Sequence, residues 1–146
     1  MINLAEWEKV KLEDVAEWER AKVGKIYPAG TSTLQISATR GQIGFLPTGG
    51  EVETKNVAII PCAGIDPKYF NITMQATIDE FMAKYATGLN IKENEVGNFP
   101  IYLHNTETQK AIVLVWDIYT KEAETAEQEL NNLKELKSRL TNDMFV

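Results

Sequence analysis

The chain has 146 residues, of which 44% are hydrophobic and 25% are charged, and its formal net charge is −6 at pH 7. This length suits one globular core, and the interspersed charges of both signs exclude wholesale disorder. The single cysteine, Cys62, excludes an intramolecular disulfide, and the longest apolar runs, residues 57–61 and 111–116, are too short to span a bilayer. Because the sequence also lacks a signal peptide, we expect a soluble cytoplasmic protein with no membrane partner.

Short strands, turns and one helix are predicted in the first part of the chain. Alternating apolar and polar residues predict a strand at residues 8–12, and a helical turn follows at residues 13–18. Further strands, bounded by glycine and proline, are predicted at residues 34–37, 43–46, 57–60, 69–72 and 101–103. Apolar residues at helical spacing predict a helix at residues 73–86, which Gly88 ends. These patterns favour a small, mixed or β-rich domain over residues 1–104.

A single long helix is predicted over residues 105–146. No proline or glycine occurs between Asn105 and Met144, and Thr106 with Gln109 has the spacing of a capping box. A helix of about 38 residues would be roughly 57 Å long, which is more than a domain of ~100 residues needs for its own packing. The fold class predicted for the whole chain is therefore α+β, with a long C-terminal helix.

The apolar residues of this helix form a narrow seam. Their alternating spacing of four and three residues is typical of a coiled coil, with one polar interruption. The seam consists of Tyr119, Ala123, Ala126, Leu130, Leu133, Leu136, Lys137, Leu140 and Met144. Because no second helix of this kind is predicted, we expect the seam to pair antiparallel with a second copy of the chain. The alternative is that the helix folds back onto its own domain.

The sequence offers little for catalysis. His104 is the only histidine and Cys62 the only cysteine, and they lie on separate elements, which excludes a zinc site and a Cys/His nucleophile pair. The glycine-rich phosphate-binding patterns GxGxxG and GxxxxGK(S/T) are absent. A lone histidine at a strand end is more typical of a structural role. The sequence therefore favours a protein that is not an enzyme and that binds no metal or cofactor of its own.

One window of the chain is locally basic. Residues 20–50 contain four cations and no acidic residue, whereas residues 1–19 contain six acidic residues and residues 105–146 contain eight. The four cations are Arg20, Lys22, Lys25 and Arg40. Such a window can arise by chance in a strand-rich region, but phosphate binding depends on lysine and arginine, so it is also the candidate surface for nucleic acid.

Several segments resemble the specificity (S) subunits of type I restriction–modification systems. The segments similar to an S-subunit target-recognition domain are VKLEDVAEWERAK (10–22), KIYPAGTSTLQISATRGQIGFL (25–46), VAIIP (57–61) and FMAKYATGLNIKENEVGNFPIYL (81–103). The segments similar to the conserved helix that follows are TETQKAIV (106–113) and LNNLKELKSRLTNDMFV (130–146). S subunits generally contain two recognition domains and two long helices. This chain has one of each and no internal repeat, so it resembles a half-subunit.

The resemblance implies a DNA-recognition subunit without catalytic activity. Its domain, residues 1–104, would recognise one half of a split target in double-stranded DNA. Its helix, residues 105–146, would set the gap between half-sites and dock methyltransferase (M) subunits, with restriction (R) subunits as further potential partners. S-adenosylmethionine would be bound by the methyltransferase, so the chain needs no cofactor. A homodimer formed through the helix would restore the two-domain layout, and its two-fold symmetry predicts a palindromic split target.

The candidate DNA contacts lie mainly in two polar loops, residues 25–33 and 37–42. Arg40 and Gln42 are the candidates for base edges, since arginine pairs bidentately with guanine and glutamine with adenine. The candidates for phosphate and supporting contacts are Lys22, Lys25, Tyr27, Ser32, Thr33, Thr39 and Lys68. The alternative for Arg40 is a solvated turn cation without a partner.

A second functional hypothesis belongs to a different class. The chain would then be an interaction protein that binds methyltransferase subunits, as a decoy or assembly modulator, and does not recognise DNA. The net charge of −6 favours this hypothesis, because proteins that bind DNA by themselves are usually basic.

Overall fold

The computed structural model describes residues 1–144, so Phe145 and Val146, the last two residues of the predicted helical segment, lie outside the described residues. The chain divides into two compact units, Met1–Ala111 and a second unit that begins at Ile112. The elements of the first unit are β1 (Glu8–Lys11), α1 (Leu12–Val15), β2 (Ala16–Arg20), β3 (Ser32–Gln35), β4 (Ile43–Phe45), β5 (Asn56–Pro61), α2 (Pro67–Tyr85), a 3₁₀ helix (Glu93–Asn98) and β6 (Pro100–Leu103). The last element, α3 (Thr106–Met144), begins in the first unit. The α+β fold class is confirmed.

Two antiparallel sheets organise the first unit. The larger sheet has the strand order β2-β5-β3-β4, and β1 pairs with β6 in a separate two-stranded sheet. The central strand β5 pairs Val57 with both Arg20 of β2 and Leu34 of β3. Because the pairs are antiparallel, the end of β2, the end of β3 and the start of β4 lie at one end of the larger sheet.

The main hydrophobic core lies between the larger sheet and α2. Alternate residues of β5, Val57 and Ile59, are fully buried in this core, together with Phe70 and Phe81 of α2. The residue between them, Ala58, belongs to a second small cluster. This alternation follows from the pleat of a strand, which directs successive side chains to opposite faces. The sheet is therefore covered on both faces at its centre.

The helix α2 begins six residues before the predicted start, so the strand predicted at residues 69–72 is wrong. Asp66 caps the helix: its side chain accepts hydrogen bonds from the backbone N–H groups of Lys68 (2.9 Å) and Tyr69 (3.1 Å). Pro67 occupies the first helical position, where its missing N–H costs nothing. Every residue from Tyr69 to Met74 is buried, and a stretch buried all round lacks the alternation of apolar and polar faces on which the prediction depends.

Two other predicted elements differ from the observed ones. The predicted helical turn at residues 13–18 is only the four-residue α1, since Ala16–Arg20 is the edge strand β2 of the larger sheet. Strand β3 covers residues 32–35 and not residues 34–37. In both places, pairing with β5 determines the strand boundaries, and local periodicity does not reveal that pairing.

Helix α3 covers 39 residues, as the absence of proline and glycine predicts. The predicted capping box is wrong, because Asn105 and not Thr106 caps the helix: its side-chain oxygen accepts from the N–H of Thr108 at 2.8 Å. The Gln109 side chain instead accepts from the N–H of Asp66 (3.1 Å) and donates to the carbonyl of His104 (2.8 Å). No helix within residues 1–144 is long and apolar enough to cross a membrane.

The predicted seam of α3 is exposed to solvent along its whole described length. Its large apolar side chains, from Tyr119 to Met144, are each more than half exposed. Ala123, Ala126 and Lys137 are exposed as well. The described seam residues therefore lie on the surface of the second unit.

Candidate nucleic-acid interface

The β3–β4 loop, residues 36–42, is held by a network centred on two side chains. The Thr39 hydroxyl donates to the Gln42 Oε1 (3.1 Å) and accepts from the N–H of Gly41 (2.9 Å). The Gln42 Oε1 also accepts from the N–H of Arg40 at 2.7 Å. Since an N–H can only donate, these contacts identify the glutamine atom as its oxygen. The network closes the tip of the loop around Arg40.

Neighbouring segments form hydrogen bonds with the backbone of residues 37–39 in this loop. The Gln35 Nε2 donates to the carbonyls of Ser37 and Ala38, at 3.0 Å each. The Asn90 Oδ1 accepts from the N–H of Ala38 (3.2 Å), and the carbonyl of Leu89 accepts from the N–H of Thr39 (2.7 Å). The loop is thus joined to its own strand and to a segment about fifty residues further along the chain.

Two residues of the loop have left-handed backbone conformations. Ala38 has φ +48°, the one non-glycine residue with positive φ in residues 1–144, and this conformation costs about 1 kcal/mol or more. Gly41 has φ +86°, and a Cβ there would lie 2.9 Å from the Ile78 Cγ1 of α2. The loop therefore packs against α2 at a point where only glycine fits.

Arg40 is exposed at the tip of this loop, and its guanidinium makes no ion pair within residues 1–144. Two other cations at the same end of the sheet, Arg20 and Lys92, also make no ion pair within that part of the chain. Arg20 donates to the Ser37 hydroxyl at 3.0 Å and to the carbonyl of Thr54 at 2.8 Å. Lys92 follows Ile91, whose N–H donates to the carbonyl of Ile36 (2.9 Å). Three cations thus border the β3–β4 loop.

Lys22 and Lys25 are in a different situation, because both contact the Glu19 carboxylate. The Lys22 Nζ lies 3.0 Å from Glu19, and Lys25 forms a second, shorter ion pair with it. The hydrogen bonds from Lys25 and then Lys22 lower the pKa of Glu19 to about 2. Lys25 also lies 5.1 Å from the centre of the Tyr27 ring. The basic window of the sequence is therefore partly neutralised by a residue just outside it.

Three of the expected contact residues are buried. Tyr27 is 1%, Ser32 0% and Thr39 2% exposed. The Tyr27 hydroxyl accepts from the N–H of Lys22 (3.1 Å), and the Ser32 hydroxyl accepts from the Asn71 Nδ2 (3.0 Å). Thr33, on β3, is half-buried. These hydroxyls support the loops from within and do not present hydrogen-bonding groups at the surface.

The predicted residues are also divided between the two ends of the larger sheet. Arg40 and Gln42 follow the end of β3, whereas Lys68 lies in the first turn of α2, near Gly30 and the start of β3. The structure therefore brings Arg40, Gln42 and Thr39 together and leaves Lys68 apart. The site residues named from the sequence do not include Arg20, Gln35 or Asn90. Arg20 is marked only as a cation of the basic window, Gln35 bonds locally to residues 37 and 38, and Asn90 reaches the loop through a long-range contact that no local signal marks.

His104, the one histidine of the chain, is part of a structural contact. Its Nδ1 lies 2.6 Å from the Tyr69 hydroxyl, and its backbone N–H donates to the same hydroxyl at 3.0 Å. Burial raises the pKa of Tyr69. Within residues 1–144 no cluster of His, Cys, Asp and Glu has the arrangement of a metal site.

No protein-family model and no curated protein sequence matches the chain. Solved structures of type I restriction–modification proteins do match its fold. The S subunit from M. genitalium has a TM-score of 0.71 at 12% identity, over 88% of this chain and 43% of that chain. The HsdS subunit from Thermoanaerobacter tengcongensis has a TM-score of 0.62 at 13% identity, over 88% and 40% of the respective chains.

A third similar structure comes from work on complex assembly and conformational transition of the type I R-M system. Its TM-score is 0.78 at 12% identity, over 96% of this chain and 45% of that chain. This chain thus spans less than half of the length of each of these solved chains. The resemblance noted in the sequence is confirmed at the level of the fold: the chain has the fold of about one half of a type I restriction–modification S subunit.

Proposed function

We propose that this chain is a DNA sequence-recognition subunit of a type I restriction–modification complex, without catalytic activity of its own. In this proposal the domain at residues 1–104 recognises one half-site of a split target. The observation that supports it best is the β3–β4 loop, which presents Arg40, a cation without an ion pair in residues 1–144, on a fold shared with S subunits. An arginine held in this way suits bidentate contact with guanine in the major groove.

The helix at residues 105–146 pairs, in this proposal, with the same helix of a second copy. The exposed apolar seam supports this pairing, because its four-three spacing is that of a coiled coil and its side chains are otherwise left in water. An isologous homodimer places two recognition domains about a two-fold axis. The half-sites of its DNA target are then inverted repeats separated by a fixed gap.

The part of α3 before the seam supports a second partner. Leu114, Val115, Trp116 and Ile118 are exposed, and at 100° per residue they span roughly 200° of the helix circumference. An apolar arc of this width is broader than the narrow seam of a coiled coil, so part of it is left for a further covering surface. We assign this segment to docking of a methyltransferase subunit, which would provide S-adenosylmethionine, with restriction subunits joining the assembled complex.

The proposal is tested by co-expressing the full chain with a type I methyltransferase subunit and incubating the purified complex with a library of random duplex DNA. We expect the complex to copurify and to enrich one bipartite, palindromic motif with a fixed gap. Enrichment of no motif, with a stable complex, would contradict DNA recognition. A motif with unlike half-sites would contradict the homodimer.

One observation favours the second candidate function, an interaction protein that binds methyltransferase subunits without recognising DNA. The pairing of Lys22 and Lys25 with Glu19 reduces the cationic surface available to phosphates, on a chain with a net charge of −6. For a decoy or assembly modulator, the same experiment yields a stable complex and no enriched motif. The library selection therefore separates the two candidates.

A further inference from the structure

We infer that Gln42 is a positioning residue for Arg40 and that Arg40 alone recognises a base at the tip of the β3–β4 loop. This inference rests on the proposed DNA-recognition function. It replaces the sequence-based expectation that both side chains contact base edges.

The acceptor capacity of Gln42 is already used within the loop. A glutamine that recognises adenine must accept from the adenine N6 amino group with its oxygen and donate to N7 with its nitrogen. The Gln42 oxygen has two acceptor sites, and it receives the N–H of Arg40 at 2.7 Å and the hydroxyl of Thr39 at 3.1 Å. Contact with adenine would break one of these bonds. Gln42 is therefore committed to the shape of the loop.

The partners of Gln42 are the residues that determine where Arg40 lies. Thr39 is 2% exposed and its backbone is fixed by Leu89, so the Gln42–Thr39 bond anchors the tip of the loop to the interior. The Gln42–Arg40 bond then fixes the peptide that precedes the Arg40 Cα. Because the backbone at Arg40 is already fixed, little backbone conformational entropy is lost when the guanidinium meets a base, and the remaining cost is that of ordering its own side chain.

Other contacts also fix the backbone of the loop. Gln35 and Asn90 hold the Ser37–Ala38 segment from two sides, and Ala38 remains in a left-handed conformation despite its Cβ. Backbone strain of this kind persists only where the surroundings impose it, and it is concentrated at functional sites. Gly41 seats the loop against Ile78 of α2. The loop therefore has its conformation already in the free protein, without DNA.

The test uses the complex of the full chain with the methyltransferase subunit and the random duplex library. Gln42→Glu keeps the acceptor oxygen and removes the donor that adenine requires, whereas Gln42→Met has a similar length and keeps neither. We expect Gln42→Glu to enrich the wild-type motif, even though its added negative charge weakens binding to every sequence. We expect Gln42→Met to lower the preference for the motif over a scrambled duplex about tenfold.

Arg40→Lys is the companion variant, since it keeps the charge and loses the bidentate fork. We expect Arg40→Lys to lower the preference for the motif about tenfold or more, with the loss confined to one base position of each half-site. Its affinity for scrambled DNA should stay within about threefold of the wild-type affinity. If Gln42→Glu changed the motif at a base position other than the one that Arg40→Lys changes, Gln42 would contact a base and the inference would be overturned. An unchanged preference in Gln42→Met or in Arg40→Lys would overturn it as well.

A second measurement tests the positioning role without DNA. The amide protons of Arg40 and Gly41 should exchange slowly with solvent in the wild-type chain and in Gln42→Glu, and at least tenfold faster in Gln42→Met. Equal exchange rates in all three proteins would overturn the positioning role. If the exchange rates follow this expectation but the wild-type complex enriches no motif, the DNA-recognition function has failed and Arg40 has no base to recognise.

Discussion

At the scale of single residues, Glu19 decides how much positive charge the first unit presents. Its carboxylate contacts Lys22 and Lys25, two of the four cations in the basic window. Removing this one charge would therefore release two cations, whereas removing an unpaired carboxylate releases none. Glu17, exposed on the same strand, provides the matched comparison.

We expect Glu19→Gln to strengthen binding to scrambled duplex DNA and to steepen its dependence on salt. The slope of log K against log[salt] should become more negative by up to about 2, since each new phosphate contact adds about 0.9. Fluorescence anisotropy at several salt concentrations measures this slope. Glu17→Gln changes the net charge equally, so an equal effect in both variants would show that Lys22 and Lys25 do not contact phosphates.

The depressed pKa of Glu19 also predicts a pH dependence of stability. Its pKa is about 2 in the folded chain and near the ordinary value of 4.5 after unfolding, so the ion pairs stabilise the fold fully above that ordinary value. This stabilisation is lost as the pH falls from about 4.5 towards 2. In denaturant titrations we therefore expect wild type to lose more stability than Glu19→Gln across this window. Parallel losses would contradict the ion pairs.

Gly41 shows how one small residue seats the β3–β4 loop. Gly41 and Gly64 both have positive φ, but a Cβ at Gly64 would meet nothing within 4 Å, whereas one at Gly41 would lie 2.9 Å from Ile78. We expect Gly64→Ala to lower the free energy of unfolding by about 1 kcal/mol and Gly41→Ala by about 2–4 kcal/mol. Chemical denaturation measures both, and equal losses would contradict the close contact with α2.

At the scale of elements, α3 is the part of the fold that local sequence describes best. Its observed limits, Thr106–Met144, agree with the stretch free of proline and glycine. By contrast, the predicted start of α2 is six residues too late, because residues 69–74 are buried on every side and show no periodicity. A helix with one solvent face shows a periodic pattern, and a helix that is enclosed does not.

The seam of α3 is tested by placing charge on it. We expect Leu130→Asp/Leu133→Asp to shift the chain towards monomer in sedimentation velocity experiments, since two carboxylates in an apolar seam oppose pairing. The control is Gln128→Asp/Asn132→Asp, which adds the same charge on other faces of the same turns. An unchanged dimer in the seam variant, or dissociation of the control, would show that pairing does not depend on this seam.

At the scale of the whole molecule, the two compact units have different sources of stability. Both hydrophobic clusters are formed by residues between Val10 and Ile101, within the first unit. The described part of the second unit is a single helix with exposed apolar side chains. The first unit therefore has a core of its own, whereas the described part of the second leaves large apolar side chains exposed.

A chain that ends at Ala111 tests this difference. It retains both clusters and the buried side chains of Thr108 and Gln109. We expect it to unfold cooperatively on heating and to keep the fluorescence of the half-buried Trp18, which packs against Gly97, while remaining monomeric at all concentrations. Loss of cooperative unfolding would mean that the domain needs the rest of α3.

The β3–β4 loop shows why sequence locates a candidate site better than it assigns roles within it. Its polar and glycine residues between two strands predict an exposed turn, and Arg40 is indeed exposed there. The backbone at Ala38 and Thr39 is held by Asn90 and Leu89, which lie far away in the sequence, while the Gln42 oxygen is used by Thr39 and Arg40 within the loop. Side-chain type alone could not show that Arg40 is exposed whereas the Gln42 oxygen is already hydrogen-bonded.

The sequence by itself determined the α+β class, the long C-terminal helix with its apolar seam and the resemblance to S subunits, since composition, periodicity and segment order are local properties. Only the tertiary structure decided the strand boundaries, the neutralisation of Lys22 and Lys25 by Glu19, and the use of the Gln42 oxygen within the β3–β4 loop. The strand boundaries arise from pairing between segments that are distant along the chain, whereas the Glu19 and Gln42 contacts join near neighbours that the folded backbone brings into reach. Whether a side-chain oxygen is already hydrogen-bonded depends on the positions of the groups around it, and these positions are fixed only when the domain has folded.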